Sequence, residues 1–157
     1  MKFATLLYIK NSRGDYLLIE RVKEPNKGFL SPPGGKLKTE IAESPFACAV
    51  REANEECGII SEVKDWELIG IVTEKAYPAI GDIMIFCFSY KKNFDELPEE
   101  INEGKFYFIP AREIQNAKIP ETDKLYFWNF VLKDNRRLFS IHIDCTKEKY
   151  ICKIEQD

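Results

Sequence analysis

Apolar and polar positions along the chain set out a series of short elements. Phe3 to Ile9 is an apolar, strand-rich run. The turn Asn11-Ser12-Arg13-Gly14-Asp15 follows, and Tyr16 to Arg21 reads as its hairpin partner. A polar stretch from Lys23 to Gly28 leads into Phe29-Leu30-Ser31-Pro32-Pro33-Gly34-Gly35, which is dense in backbone punctuation. A helix comes next, with Ser44 as N-cap, Pro45 at the first helical position and Gly58 at its end. Phe46, Ala49, Val50, Ala53 and Cys57 recur at helical spacing and form its core face. Strands return at Glu67–Glu74 and Ile83–Lys91. An acid-rich loop from Asp95 to Gly104 precedes a short strand, Lys105–Ile109. Pro110-Ala111-Arg112-Glu113-Ile114 reads as a helix start. Thr122 to Leu132 predicts a second long helix with Leu125, Phe127, Trp128 and Val131 on its apolar side. Phe139–Asp144 and Tyr150–Ile154 predict a closing hairpin. Strands, helix, strands, helix, strands is the order of an α/β protein with helices packed on a mixed sheet.

Composition narrows the class. At 157 residues the chain suits one domain, 1–157, that needs no disulfide or metal staple to fold. With 45% hydrophobic and 31% charged residues it is globular, not disordered. No apolar run reaches a membrane span. The N-terminus enters strand-like sequence with no signal-peptide cleavage site, and the expected compartment is the cytoplasm. A net charge of −3 gives no electrostatic footprint for a nucleic-acid polymer, so a polyanionic substrate would need a mediating cation. The five cysteines (Cys48, Cys57, Cys87, Cys145, Cys152) lack CxxC spacing and lie in apolar stretches, as reduced buried thiols do. The single histidine, His142, sits in the alternating run Phe139–Asp144. This speaks against a zinc site and against Ser-His or Cys-His nucleophilic chemistry.

The chemistry lies in Gly34-Gly35-Lys36, Glu43 and Arg51-Glu52-Ala53-Asn54-Glu55-Glu56-Cys57-Gly58-Ile59. On a helix, Glu52, Glu55 and Glu56 stand three and four residues apart and share one face, away from the apolar side. Crowded carboxylates repel by a few tenths of a kcal/mol per pair. Hard oxygen donors at this density suit Mg²⁺ or Mn²⁺, which share their shell with water and substrate phosphates. The two glycines permit close backbone approach, and Lys36 adds a phosphate-binding charge. A solvated acidic helix face is the alternative reading of such a pattern. Yet Arg51, Glu52, Glu55, Glu56 and Gly58 together arise by chance at about one start in a million.

This segment resembles the Nudix box, Gly-x5-Glu-x7-Arg-Glu-U-x-Glu-Glu-x-Gly-U, with U aliphatic. Glu43, Arg51, Glu52, Glu55, Glu56, Gly58 and Ile59 match its second half, and Ala53 replaces a larger aliphatic. The first half departs. Seven residues, Lys36 to Ala42, separate Gly35 from Glu43 where the family has five, so the loop must bulge. The family's glycine before the glutamate is Ala42 here. Pairing Gly34 with Glu40 would restore five but put Arg51 ten residues on, so Glu43 is preferred.

The resemblance implies an α/β/α sandwich and hydrolysis of a diphosphate linkage by water. It assigns divalent metal (Mg²⁺ or Mn²⁺) to the Gly34 carbonyl, Glu52, Glu55 and Glu56, and gives Arg51 the task of orienting the glutamates. The proton acceptor would be Glu52 or a loop acid: Glu103 by preference, with Glu99 and Glu100 as alternatives. Beyond the box the chain is similar to the MutT-like branch, which acts on oxidised-purine nucleoside triphosphates. The similarity lies in Phe29–Lys36, Ile71-Val72-Thr73-Glu74, Ile83–Cys87 and Ile119-Pro120-Glu121-Thr122-Asp123. It makes Asp123 either a reader of the base edge or an ordinary acid at a helix start, and Ser31 a neighbour of the purine. Arg21 is either a phosphate ligand or a surface cation. The implied reaction is (d)NTP plus water to (d)NMP plus pyrophosphate, by a monomer or homodimer. A Nudix hydrolase of dinucleoside polyphosphates, ADP-ribose or nucleotide sugars, and a catalytically silent nucleotide-binding module, are the competing readings. The direct start at the first strand argues against the ADP-ribose branch, and the intact Glu52, Glu55 and Glu56 argue against the silent module.

Overall fold

Strand β1 (Lys2–Lys10) runs parallel to β5 (Gly81–Asn93), and that ladder is the spine of the sheet. In this computed structural model, which describes residues 1–133 and 137–157, the strand order is β3-β2-β1-β5-β4-β7-β8, and β6 also pairs with β2. β2 is Tyr16–Arg21, β3 Leu30–Ser31, β4 Trp66–Tyr77, β6 Gly104–Ile109, β7 Phe139–Asp144 and β8 Ile151–Gln156. The parallel β1–β5 and β4–β7 pairs and the antiparallel remainder make the sheet mixed, as the element order predicts.

Helix α1 (Pro45–Cys57) packs on one face. The Ser44 hydroxyl accepts a hydrogen bond from the Ala47 N–H at 3.1 Å, and Gly58 closes the helix in a left-handed conformation. Ala49 and Ala53 are fully buried against Leu7, Leu17 and Phe88, and their small side chains let the helix sit close to the strands. The opposite face holds Tyr8, Val72, Ile85 and Ile141, covered by a 3-10 helix at Ala111–Asn116 and by the helical segment 121–131. The result is the expected α/β sandwich. Among the described residues no helix is long and apolar enough to cross a membrane.

Three expectations need correction. β1 and β2 meet only at Lys10–Tyr16. Their long ladders run to β5 and β6 instead, because a hairpin turn brings two strands together at one end without obliging them to pair along their length. Pro110 opens a 3-10 helix rather than an α-helix. The second helix contains a π-helical turn, Asp123–Phe127, before α2 (Trp128–Val131). That wider turn shifts the side-chain register, so Phe127 and Trp128 are buried while Leu125 points outward, 47% exposed. All five cysteines are free, and all but Cys152 are buried. His142 hydrogen-bonds Thr73 Oγ1 through Nδ1 at 2.7 Å across the β4–β7 ladder, a structural role.

Candidate active site

Arg51 is the hub of the helix face. Its Nε donates to Glu43 Oε2 at 2.7 Å and its Nη2 to Glu43 Oε1 at 2.8 Å. Its Nη1 donates to Glu52 Oε1 at 2.7 Å and to Glu55 Oε2 at 3.2 Å, and its Nη2 also donates to the Lys36 carbonyl at 3.1 Å. The guanidinium holds the Glu43 carboxyl down at about 2, and the carboxylates raise the guanidinium further above its ordinary value. The expanded loop is accommodated by a 3-10 turn, Thr39–Ile41, and by Ala42 in a left-handed conformation (φ 53°). Lys38 N–H then donates to Glu43 Oε1 at 3.1 Å. The two extra residues are thus absorbed before Glu43.

The paired glycines are required by contact. A Cβ on Gly34 would sit 2.1 Å from the Thr5 carbonyl oxygen, and one on Gly35 would sit 2.4 Å from the Glu52 carboxyl group. Thr5 N–H donates to the Gly35 carbonyl at 2.8 Å and Leu7 N–H to the Pro33 carbonyl at 2.8 Å, so this loop is stitched to β1.

Glu52, Glu55, Glu56, Ile101, Asn102 and Glu103 line one groove of about 490 Å³. Burial first, then the Glu52 charge and a hydrogen bond with Glu52, then the Glu103 charge, push the Glu56 carboxyl well above the usual range; a backbone hydrogen bond from Gly34 opposes them. Glu103 therefore joins the helix acids. Its carbonyl, accepting from Val22 N–H at 3.0 Å, ties that loop to the end of β2. Glu99 and Glu100 are exposed and do not line the groove.

Among the described residues no three His, Cys, Asp or Glu side chains are placed to hold a metal ion by themselves. The oxygen donors of the groove still fit a hard divalent cation, because such an ion takes one or two carboxylates and fills its shell with water and phosphate oxygens. It would also relieve the repulsion that lifts Glu56.

A second cavity, of about 790 Å³, opens on the other side of the sheet. Asn26, Phe29, Tyr77, Thr122, Tyr126 and Tyr150 are among its walls, with Glu121 and Leu125 beside them. Sequence reasoning missed Tyr77 and Tyr150 there, and nothing in their spacing marks them. It also missed Glu74, whose signal was an acid at an inward position of an alternating strand. Asp123 does not line the cavity; its carboxyl turns inward and burial pushes it up to about 7. Ser31 sits in β3 with its hydroxyl donating to the Pro32 carbonyl at 3.2 Å, Arg21 Nε donates to the Pro25 carbonyl at 2.8 Å, and Lys36 is exposed. None of these three lines either cavity.

The fold is thus an α/β sandwich with an Arg-ordered carboxylate groove suited to a hard divalent cation. The sequence model of the NUDIX domain matches residues 2–129, and the chain belongs to the NUDIX family. Its fold is similar to that of a MutT protein from Bacillus halodurans (23% identity, 97% of each chain, TM-score 0.78). It is also similar to a MutT protein from Methanosarcina mazei Go1 (21% identity, 82% of this chain and 88% of that one, TM-score 0.65). A third similar fold is the NUDIX domain of Shewanella oneidensis NrtR, solved with ADP ribose (16% identity, 83% and 84%, TM-score 0.66).

Proposed function

We propose that this protein is a divalent-metal-dependent nucleoside triphosphate pyrophosphatase, converting (d)NTP and water to (d)NMP and pyrophosphate, with oxidised purine nucleotides such as 8-oxo-dGTP among its substrates. The observation that carries the reading is the groove in which Glu52 and Glu103 both lie close enough to Glu56 to raise it, while Arg51 fixes Glu52. Glu52, Glu55, Glu56, Glu103 and the Gly34 carbonyl are the candidate holders of Mg²⁺ or Mn²⁺. When bound, such an ion offsets phosphate charge and lowers the pKa of water.

The chain's own residues do the rest. Arg51 keeps Glu52 oriented beside Glu56. Glu52 or Glu103 accepts the proton of the attacking water. The wall of Phe29, Tyr77 and Tyr150 holds the base, and the Pro33–Gly35 backbone, pinned to β1, lies against the Glu52 carboxyl. Free thiols suit a reducing compartment, and we assign the protein to the cytoplasm.

The test is product analysis with Mg²⁺, Mn²⁺ or EDTA: pyrophosphate and monophosphate from a panel of (d)NTPs, AMP and ribose 5-phosphate from ADP-ribose, and mononucleotides from dinucleoside polyphosphates. Metal-dependent turnover of a triphosphate to monophosphate is expected. Turnover restricted to ADP-ribose or a dinucleoside polyphosphate moves the substrate class, and binding without any turnover makes the protein a nucleotide-binding module.

A further inference from the structure

Glu74 is a buried acid without a partner. It is 5% exposed and lies on β4 opposite Ile83 of β5 and Ile143 of β7, on the face that carries Val72. Among the described residues nothing hydrogen-bonds it or pairs with its charge. Its carboxyl oxygens are nevertheless not sealed in: among the described residues, the fully enclosed polar side-chain atoms that lack a partner do not include them. Glu74 does not itself line the aromatic cavity, but it lies close to two side chains that do. Tyr77 and Tyr150, which form its wall, both feel the Glu74 charge, as does Cys145 beside them. Buried carboxyl groups are normally satisfied, and one that is not points to a partner that arrives from outside.

The neighbouring charge is Asp123, another acid. Burial first, then Asp123, pushes Glu74 up to about 8, so at neutral pH it is largely the uncharged acid, with one donor and one acceptor side by side.

We propose that Glu74 is a specificity-determining residue that, from behind the lining side chains, reads the polar edge of a purine base entering the Phe29–Tyr77–Tyr150 cavity. A carboxylic acid complements an edge with an adjacent donor and acceptor, which guanine, adenine and their oxidised forms all present. Glu74 lies behind the lining side chains, so the longer two-ring base reaches it and a pyrimidine does not. The inference rests on the nucleotide reading above and adds the residue that selects the base.

Titration of the metal-free protein with dGMP, dAMP, dCMP and dTMP, read by calorimetry, measures base recognition apart from hydrolysis. Glu74→Leu is expected to weaken purine monophosphates at least tenfold and to leave pyrimidines within twofold. Glu74→Gln, which keeps a donor and an acceptor, is expected to stay within threefold of wild type. In steady state, KM for purine triphosphates rises in the Leu variant while kcat changes little. Thermal melting checks the fold, and Glu74→Met takes the place of Leu if that variant does not fold. Unchanged purine preference in the apolar variant overturns the inference, even if hydrolysis is intact. Loss of that preference in a protein that hydrolyses no nucleotide upholds the inference and removes the hydrolase reading.

Discussion

Arg51 and Glu43 are joined by two hydrogen bonds in fork geometry, at 2.7 and 2.8 Å, with side chains 19% and 7% exposed. The pair ties the bulged loop to the helix that carries the acids. Glu43→Gln leaves a half-buried guanidinium short of its charge partner, and a stability loss of about 1–3 kcal/mol is expected. The Glu43 carboxyl is depressed to about 2 in the folded state from its usual 4.5. Its stabilisation is therefore complete above about pH 4.5 and is lost as pH falls toward 2. Urea unfolding of wild type and variant between pH 2 and 7 should converge at the acid end; curves that stay parallel would remove this pair from the ledger.

Gly34 and Gly35 should respond differently to alanine. Gly35→Ala presses on the movable end of Glu52 and is expected to cut activity tenfold or more with the melting temperature nearly kept. Gly34→Ala meets the Thr5 backbone and is expected to lower the melting temperature by several degrees. Equal effects on both quantities in both variants would contradict the geometry.

Among the loop acids, Glu103→Gln should slow pyrophosphate release by about 10- to 100-fold, less than the 10²- to 10⁴-fold expected for Glu52→Gln or Glu56→Gln. Glu99→Gln and Glu100→Gln should remain within twofold. Mn²⁺ should raise the melting temperature of wild type and not of Glu56→Gln. A Glu100→Gln defect as large as that of Glu103→Gln would move the loop ligand.

Ala42 holds a left-handed backbone conformation at the end of the inserted turn. Ala42→Gly removes the Cβ penalty of about 1 kcal/mol, less the entropy glycine gains when unfolded, so a net gain of a few tenths to 1 kcal/mol is expected. Denaturant midpoints measure it, and a loss of stability would contradict the strain argument.

Glu74 gives a pH signature of opposite sign to Glu43. Its folded value of about 8 lies above the unfolded 4.5, so it costs stability progressively as pH rises from about 4.5 to 8. The groups facing it are Asp123, Tyr77, Tyr150, Cys145 and Cys87. Glu74→Leu should become more stable relative to wild type across that window, by chemical denaturation; a pH-independent difference would show that the carboxyl titrates normally.

The sheet strands, α1 and its acidic face were legible because each depends on local periodicity: alternation for Ile83–Lys91, Ser44-Pro45 and Gly58 as ends of a helix, and three- and four-residue spacing for Glu52, Glu55 and Glu56. Glu103 was identified by its place before Gly104, and the structure brings it to Glu56. The π-helical turn at Asp123–Phe127 was not legible, because the inserted register follows from how Trp128 packs edge-on against Tyr8 and Tyr16, not from the local pattern.

By itself, then, the sequence determined the acid face, the arginine among it and the two glycines, since these act over a few residues of one helix and one loop. Only the tertiary structure decided which loop acid meets them, that β1 pairs with β5 rather than along β2, and that Glu74 is buried near Tyr77 and Tyr150. Those are relationships between residues tens of positions apart, and they are fixed by which apolar faces can be buried together, a property of the whole sheet that no short window of sequence carries.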